Sequence, residues 1–223
     1  METHPFDLRT NFGNWESNLM FLDTTKVLAK NQKILEIGSG VGTLLKHLLD
    51  QGYDAQGTET DNEYIKKSKE LYGNIPITSV NSELLPFEDN IFNVVISFDV
   101  FEHIPNSDSH LAEVKRVLKN GGYYLLQTPN KYTNIPFEVI RQKSLVAWKE
   151  DHVALHSYKG IIKRFKRNGF KVEVLPIPVV TNFFRLKIDR YLGKFGLLLL
   201  HVINPDKLPR NFRTNFYIKA QKI

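Results

Sequence analysis

The chain has 223 residues, a length that suits one domain with a sizeable hydrophobic core and is short for two. Its 42% hydrophobic and 24% charged residues are ordinary for a globular protein, and the absence of Cys excludes disulfides and cysteine-based metal sites or nucleophiles. The net charge of +6 favours an anionic partner, such as an acidic small molecule, a nucleic acid or a lipid head group.

The N-terminus and the apolar runs bear on location. Residues 1–18 are acidic and polar where a signal peptide needs a basic start and an apolar run. The longest apolar run lies within residues 195–201, far short of the roughly 20 residues that span a bilayer. We therefore expect a cytoplasmic protein without a transmembrane segment.

The excess basic residues lie late in the chain. A solvated helix face is the simpler interpretation, because Ile161, Ile162 and Phe165 could form a buried stripe opposite them. No aromatic-rich RNA-binding motif accompanies the charges, so we expect no nucleic-acid partner and a small-molecule substrate that could be anionic. The basic residues are Lys159, Lys163, Arg164, Lys166, Arg167, Lys171, Arg185, Lys187, Arg190 and Lys194.

Short apolar, β-rich runs alternate with helix-period segments from residue 33 to residue 128. This alternation predicts right-handed crossovers and a parallel sheet with helices on both faces. The predicted strands are Lys33–Ile37, Tyr53–Thr58, Ile77–Val80, Phe92–Phe98 and Tyr123–Thr128, and the predicted helices are Leu44–Leu49, Glu63–Leu71 and Leu111–Leu118.

The pattern changes after Thr128. Residues 129–156 have weak periodicity and two prolines, which predicts a loop-rich cover. Ser157 could then cap a helix that runs to Asn168, with Gly169 closing it. Strands are predicted at Phe170–Leu175 and Asn215–Ala220, so residues 176–213 form an insertion within a single domain.

A predicted strand runs directly into glycines 38, 40 and 42. Glycines let the backbone turn sharply and approach a ligand, and the helix that follows adds free N–H groups at the same crevice. A dinucleotide motif needs a third glycine where Thr43 stands. Glu36 would repel a pyrophosphate but could bind the cationic amino group of a methionine-like ligand, directly or through water.

A second acid follows about 20 residues later, where the next strand ends. Glu59 could accept hydrogen bonds from both hydroxyls of a ribose. Asp61 is the alternative, but its position before the next helix better suits an N-cap. We therefore expect Glu59 to bind the ribose.

These motifs together resemble the class I S-adenosylmethionine-dependent methyltransferase family, in particular its ubiquinone and sugar O-methyltransferase-like branch. The matching stretches are Glu36–Gly42, Glu59, Asn81–Phe87, Phe92–Ile104 and Leu118–Leu126. Asn81 departs from the family pattern, because an acid is usual there, and so does Asn93. The resemblance implies S-adenosylmethionine as cofactor, with contacts from Glu36, Gly38, Ser39, Gly40, Gly42, Glu59, Thr60, Asn81, Ser82, Glu83 and Phe98.

The resemblance also implies the architecture. We expect a Rossmann-like, doubly wound α/β sheet of seven mostly parallel strands with an antiparallel last strand and helices on both faces. The single methyltransferase domain would comprise an N-terminal helical cap (1–30), a cofactor-binding core (31–175 and 214–223), a cover over the acceptor site (129–156) and the insertion (176–213).

The chemistry is expected after the fourth strand, near the transferable methyl group. If Asp99 to His103 form a helical turn, Asp99, Glu102 and His103 share one face and could hold a divalent cation. The segment resembles the E-x-x-E-H stretch of ubiquinone-pathway O-methyltransferases, which implies a metal there. A structural role for this turn is the simpler interpretation, so we expect no metal and place the general base at His103, with Asp99 beside it.

The cover segment adds two histidines. Glu150–Ser157 resembles the H-x-x-x-[FH]-S stretch of sugar, quinone and small-molecule methyltransferases. His152 could face the acceptor or anchor the cover, and His156 is expected at a helix entry. Trp15 lies in a segment that often closes over the cofactor in relatives, although a lone Trp is usually a core residue.

The insertion is too apolar for a bare loop. It could form a homodimer face, an acceptor pocket or a peripheral lipid-contacting surface across 183–200, and packing on the sheet is the default. Its apolar residues are Phe183, Phe184, Leu186, Tyr191, Phe195 and Leu197–Leu200. The main functional hypothesis is methyl transfer to an oxygen, or less readily a nitrogen, of a small molecule. The alternative is a non-catalytic protein that binds or senses the cofactor.

Overall fold

The structure is a computed structural model that describes residues 14–80 and 84–223, with all side chains except those of residues 141, 150, 151, 187, 191 and 192. The strands are β1 (Lys33–Ile37), β2 (Asp54–Glu59), β3 (Ile77–Ser79), β4 (Phe92–Phe98), β5 (Leu118–Pro129), β6 (Phe170–Leu175) and β7 (Asn215–Lys222). They form one seven-stranded sheet in the order β3-β2-β1-β4-β5-β7-β6. β7 is antiparallel to β5 and β6, and the other pairs are parallel, which confirms the predicted fold class.

Helices connect the strands. They are α1 (Trp15–Thr25), α2 (Thr43–Asp50), α3 (Asn62–Tyr72), α4 (Ser107–Val117), α5 (Lys131–Gln142), α6 (Trp148–Asp151), α7 (Tyr158–Arg167) and α8 (Asn182–Val202). Side chains with the geometry of N-caps start two predicted helices: the Asp61 carboxylate accepts from Glu63 N, and the Ser157 hydroxyl accepts from Gly160 N. Gly169 has φ 81° directly after the Asn168 C-cap, as a terminating glycine should.

The central strands are buried on both faces, because successive side chains of a strand point to opposite sides. Leu35, Val95 and Tyr124 pack in one hydrophobic cluster, which also contains residues of α4 and α7. Their neighbours Ile34 and Val94 pack in a second cluster with residues of α1 and α2. The helices therefore cover both faces of the sheet, and the sheet edge at the carboxyl ends of β1, β2 and β4 is left for a ligand.

The prediction of a loop-rich segment at residues 129–156 is wrong, because α5 and α6 lie within it. The side chain of Asn130 accepts a hydrogen bond from Tyr132 N and so caps α5. Pro136 lies inside α5, and this helix breaker together with weak periodicity concealed the helix in the sequence.

The insertion, residues 176–213, contains α8 and two short 3₁₀ turns. Packing on the sheet, the default expectation for its apolar residues, is wrong for several of them, because Leu186, Phe195, Leu198 and Leu199 are exposed. Among the described residues, no helix is both long and apolar enough to cross a membrane.

Candidate active site

A cavity of about 460 Å³ opens where β1, β2 and β4 end, a volume within the usual range for small-molecule sites. Residues from five segments line it, so a ligand there would touch the glycine turn and the end of β4 together. The lining residues are Ile37, Gly38, Gly40, Val41, Thr58, Glu59, Thr60, Tyr64, Lys67, Val80, Phe98, Asp99, Val100, His103 and Ile104.

The glycine turn is fixed to the neighbouring strand at its start. The backbone N–H groups of Gly38 and Ser39 both donate to the Thr58 carbonyl oxygen, at 2.9 Å each. Gly38 has φ 71°, and a Cβ atom there would lie 2.4 Å from a methyl group of Val100. Only glycine meets both demands, so this turn holds β1, β2 and the segment after β4 in close contact.

The last glycine of the motif has a different role from the expected one. Gly42 has φ 81°, and a Cβ atom there would lie 2.6 Å from the Cδ1 of Ile75. Gly42 does not line the cavity. The lack of a side chain at Gly42 therefore serves the left-handed backbone and the packing against Ile75, and the expectation that it lets a ligand approach is not supported by its position.

Glu36 has a buried carboxyl group, one oxygen of which, Oε2, accepts no hydrogen bond from the described residues. Burial raises the pKa of Glu36 to about 8, against the lowering effects of hydrogen bonds from Ser39 and Leu45, and the charge of Glu59 adds to the rise. Buried polar atoms normally have partners, so a cationic group placed beside Glu36 would complete the site.

Glu59 organises the turn through its carboxylate. Oε2 accepts from Gly40 N at 2.7 Å, and Oε1 accepts from Thr60 N at 2.7 Å and from Asp61 N at 3.0 Å. Each carboxylate oxygen can accept more than one hydrogen bond, so Glu59, which lines the cavity, keeps capacity for a hydroxyl donor.

Asp99 is held at the opposite edge of the cavity. Its φ of 53° is unusual for a non-glycine residue, and its backbone N–H donates to Gln127 Oε1 at 2.9 Å. The Nδ2 of Asn14 donates to its Oδ2 at 3.1 Å. Burial raises the pKa of Asp99, while the hydrogen bonds from Asn14 and Gln127 and the nearby histidines oppose the rise.

Asn14 is a site residue that sequence reasoning missed. It occupies the N-cap position of α1, yet its side chain makes no capping bond. Instead it donates to Asp99 and accepts from Asn215 Nδ2 at 3.1 Å, which joins α1, the end of β4 and the start of β7. The neighbouring Trp15, singled out from the sequence, packs edge-on against His47 and does not line the cavity.

The turn after β4 is a 3₁₀ turn, Phe101–His103, and Asp99 precedes it in a left-handed conformation. The expected shared helical face of Asp99, Glu102 and His103 is therefore wrong. His103 lines the cavity, and its ring centroid lies 5.1 Å from that of His152 in the cover. Glu102 is buried and accepts from Thr128 Oγ1 at 2.9 Å.

Glu102, His103 and His152 offer one ligand atom each within 4.8 Å of one another, so these three, and not Asp99, could chelate a cation. Burial, reinforced by the charge of Asp99, raises the pKa of Glu102 to about 8. Burial favours the protonated form of Glu102, so this carboxyl group would have to lose its proton to bind a cation.

His156 lies apart from this cluster. Its Nδ1 contacts the Ala154 carbonyl oxygen, its ring packs on Phe101, and its backbone pairs with Asn130. Burial lowers the pKa of His156. It therefore anchors the entry to α7, as its position in the sequence indicated.

Seven of the fourteen site residues predicted from the sequence line the cavity: Gly38, Gly40, Glu59, Thr60, Phe98, Asp99 and His103. Glu36, Ser39, Gly42 and His152 lie beside it without lining it. Asn81, Ser82 and Glu83, expected near adenine, lie outside the described residues. Tyr64 and Lys67 also line the cavity and were not predicted. They lie three residues apart on α3 and so share one helix face, and this spacing could have indicated them as site residues.

Comparisons with known proteins agree with this geometry. The family described as "Methyltransferase domain" matches residues 8–175. The ubiquinone biosynthesis O-methyltransferase of Thiobacillus denitrificans is 30% identical over 51% of this chain and 50% of its own length. The sarcosine/dimethylglycine N-methyltransferase of Halorhodospira halochloris is 27% identical over 52% of this chain and 44% of its own length.

The fold recurs in a chain from the complex between the Haloferax volcanii Trm112 methyltransferase activator and a methyltransferase. That chain superimposes with a TM-score of 0.70 at 17% identity, covering 98% of this chain and 96% of its own. At this identity the similarity concerns the fold alone. The chain spans about half the length of these curated relatives, 50% of the Thiobacillus denitrificans protein and 44% of the Halorhodospira halochloris protein.

Proposed function

The chain belongs to the class I S-adenosylmethionine-dependent methyltransferase family, and we propose that it transfers a methyl group from that cofactor to an oxygen atom of a small molecule. One observation carries the proposal: the glycine turn with Glu59 and the acid–base pair Asp99 and His103 line the same cavity. A methyl donor held by the first group would therefore lie next to an acceptor held by the second.

The residues at the glycine turn fit the cofactor. The unpartnered oxygen of Glu36 suits the cofactor's ammonium group, and the remaining lone pairs of Glu59 suit the ribose hydroxyls. Backbone at Gly38 and Gly40 would let the ligand approach closely. When bound, S-adenosylmethionine supplies a methyl group on a positively charged sulfur, which needs no further activation.

The residues after β4 fit proton removal. An alcohol or phenol must lose its proton as the methyl–oxygen bond forms, and a positioned imidazole is a suitable base near neutral pH. We assign that role to His103, which lines the cavity, with Asp99 placed to stabilise the charged imidazole. His152, whose ring lies beside that of His103, would orient it.

The presence of a base favours oxygen over nitrogen as the acceptor atom. A neutral amine can attack through its lone pair without first losing a proton, whereas a hydroxyl gains much more from a base. The relatives include both an O-methyltransferase and an N-methyltransferase, so their names support a small-molecule acceptor without choosing between the two atoms.

The proposal is tested by incubating the protein with S-adenosylmethionine carrying a ¹³C-methyl group and a small-molecule extract of cells. We expect a labelled metabolite whose methyl chemical shift is that of an O–CH₃ group, and we expect none with Asp99→Ala. A labelled N–CH₃ group would redirect the proposal to nitrogen. Cofactor binding with no transfer to any extract would favour the non-catalytic alternative.

A further inference from the structure

Helix α8 consists of two helical halves joined at Gly193, whose φ of 58° and ψ of −156° are not helical. The second half presents one continuous apolar stripe, because Phe195, Leu198, Leu199 and Val202 recur at helical spacing. Their side chains are 73%, 64%, 42% and 78% exposed. We call these four residues the α8 stripe.

The opposite face of the same half helix packs inward. Gly196 and Leu200, four residues apart, are buried. The helix is therefore seated on the protein by one face, and the α8 stripe points away from it. Contiguous apolar residues at such exposure are typical of an interaction surface.

The segment that contains the α8 stripe is mostly basic in sequence. Residues 182–213 contain seven Lys and Arg against two Asp. Lys194 directly precedes the stripe and is exposed, as are Arg185 and Arg210. The carboxylate of one of the two acids, Asp206, accepts hydrogen bonds from the backbone N–H groups of Val179 and Val180 and so binds within the protein.

The charge of the segment around the α8 stripe argues against a second copy of the chain as its occupant. A second copy would bring the same excess of Lys and Arg to the interface, and like charges that face each other there are unfavourable. A short apolar stripe with flanking cations instead matches a helix that lies in the surface of an anionic bilayer, where the apolar residues enter the acyl boundary.

We infer that the second half of α8 docks the protein onto anionic lipid membranes. Phe195, Leu198 and Val202 enter the bilayer surface, and Lys194 contacts the lipid phosphates. This inference goes beyond the proposed methyl transfer and does not depend on it, because it rests on α8 alone.

The test is co-sedimentation of the full chain with vesicles of phosphatidylcholine, with and without phosphatidylglycerol. We expect binding to the anionic vesicles that weakens at high salt. Phe195→Ser with Leu198→Ser should reduce the partition coefficient at least about tenfold, since each change removes one inserted side chain. Lys194→Gln should reduce it about fivefold, the effect of losing one cation near the surface.

Ile223→Ser is the matched control, because Ile223 is 76% exposed but lies outside α8. It should bind vesicles as the wild type does, and all variants should keep the wild-type unfolding midpoint. The inference would be overturned if the wild type bound neither kind of vesicle. It would also be overturned if the double variant Phe195→Ser, Leu198→Ser bound the anionic vesicles as well as the wild type does. A homodimer in solution that the double variant dissociates would overturn it as well, because the α8 stripe would then be covered by a second copy.

Discussion

Replacement of Glu36 by Gln should stabilise the empty protein while weakening its cofactor binding. Burial raises the pKa of Glu36 from 4.5 to about 8. Below pH 4.5 the folded and unfolded chains both hold this proton. Between pH 4.5 and 8 the Glu36 carboxyl group is ionised in the unfolded chain and still protonated in the folded one. Each rise of one pH unit in this range therefore lowers the free energy of unfolding by up to about 1.4 kcal/mol.

At pH 7 this penalty amounts to about 3 kcal/mol, because the pH lies 2.5 units above 4.5. Gln has nearly the same shape and does not ionise, so we expect Glu36→Gln to recover much of that amount in urea unfolding. The gain should vanish near pH 4.5. Glu70→Gln, at an exposed position on α3, is the matched control and should change the unfolding free energy little at either pH.

The affinity for the cofactor should change in the opposite direction to the stability, rising with pH in the wild type and falling upon the change Glu36→Gln. If the ligand's ammonium group binds only ionised Glu36, the affinity for S-adenosylhomocysteine should rise about tenfold between pH 6 and pH 7, still below the pKa. Calorimetry of Glu36→Gln should show weaker binding and no such slope. Unchanged affinity in the variant, or a stability that does not depend on pH through Glu36, would refute the reasoning.

Three further predictions concern the acid–base edge of the cavity. His103→Ala should lower turnover by about 100-fold or more with little change in S-adenosylhomocysteine affinity. The control His201→Ala, on α8, should change neither quantity. If His103→Ala turns over as fast as the wild type, His103 has no part in the mechanism. Asn14→Ala removes a hydrogen bond that lowers the pKa of Asp99, so the acid limb of the pH profile of turnover should move to higher pH. An unmoved limb would contradict the positioning role of Asn14. Turnover should persist in EDTA, because burial favours the protonated form of Glu102, which cannot ligate a cation, and a loss that Mg²⁺ restores would instead assign a cation to the site.

Those parts of the fold that depend on local pattern could be predicted from the sequence. The bounds of β1 and β4 match the prediction because most residues of both strands are apolar and are buried on both faces of the sheet. The helix caps at Asp61 and Ser157 were predictable because capping needs only the residues that follow. The glycine turn was recognisable because its demands for positive φ leave few residues to choose from.

Features that depend on distant contacts could not be predicted. The position of Asn14 before α1 is typical of an ordinary N-cap. Its contacts with Asp99 and Asn215, which are 85 and 201 positions away, form only in the folded chain. The positive φ of Gly42 belongs to the recognisable turn, but the close approach of the Ile75 side chain to it is a contact that no local pattern reveals. Glu102 is buried and contacts Thr128, 26 positions away, and its local sequence does not reveal that contact.

The most direct test of the account is calorimetric titration of the wild-type protein and of Glu59→Ala with S-adenosylhomocysteine and, separately, with NAD. We predict saturable binding of S-adenosylhomocysteine to the wild type, weaker binding to Glu59→Ala because the ribose loses its acceptor, and no heat with NAD. No binding at millimolar S-adenosylhomocysteine, or tighter binding of NAD, would contradict the central claim that the turn from Glu36 to Gly42 holds a methyl donor.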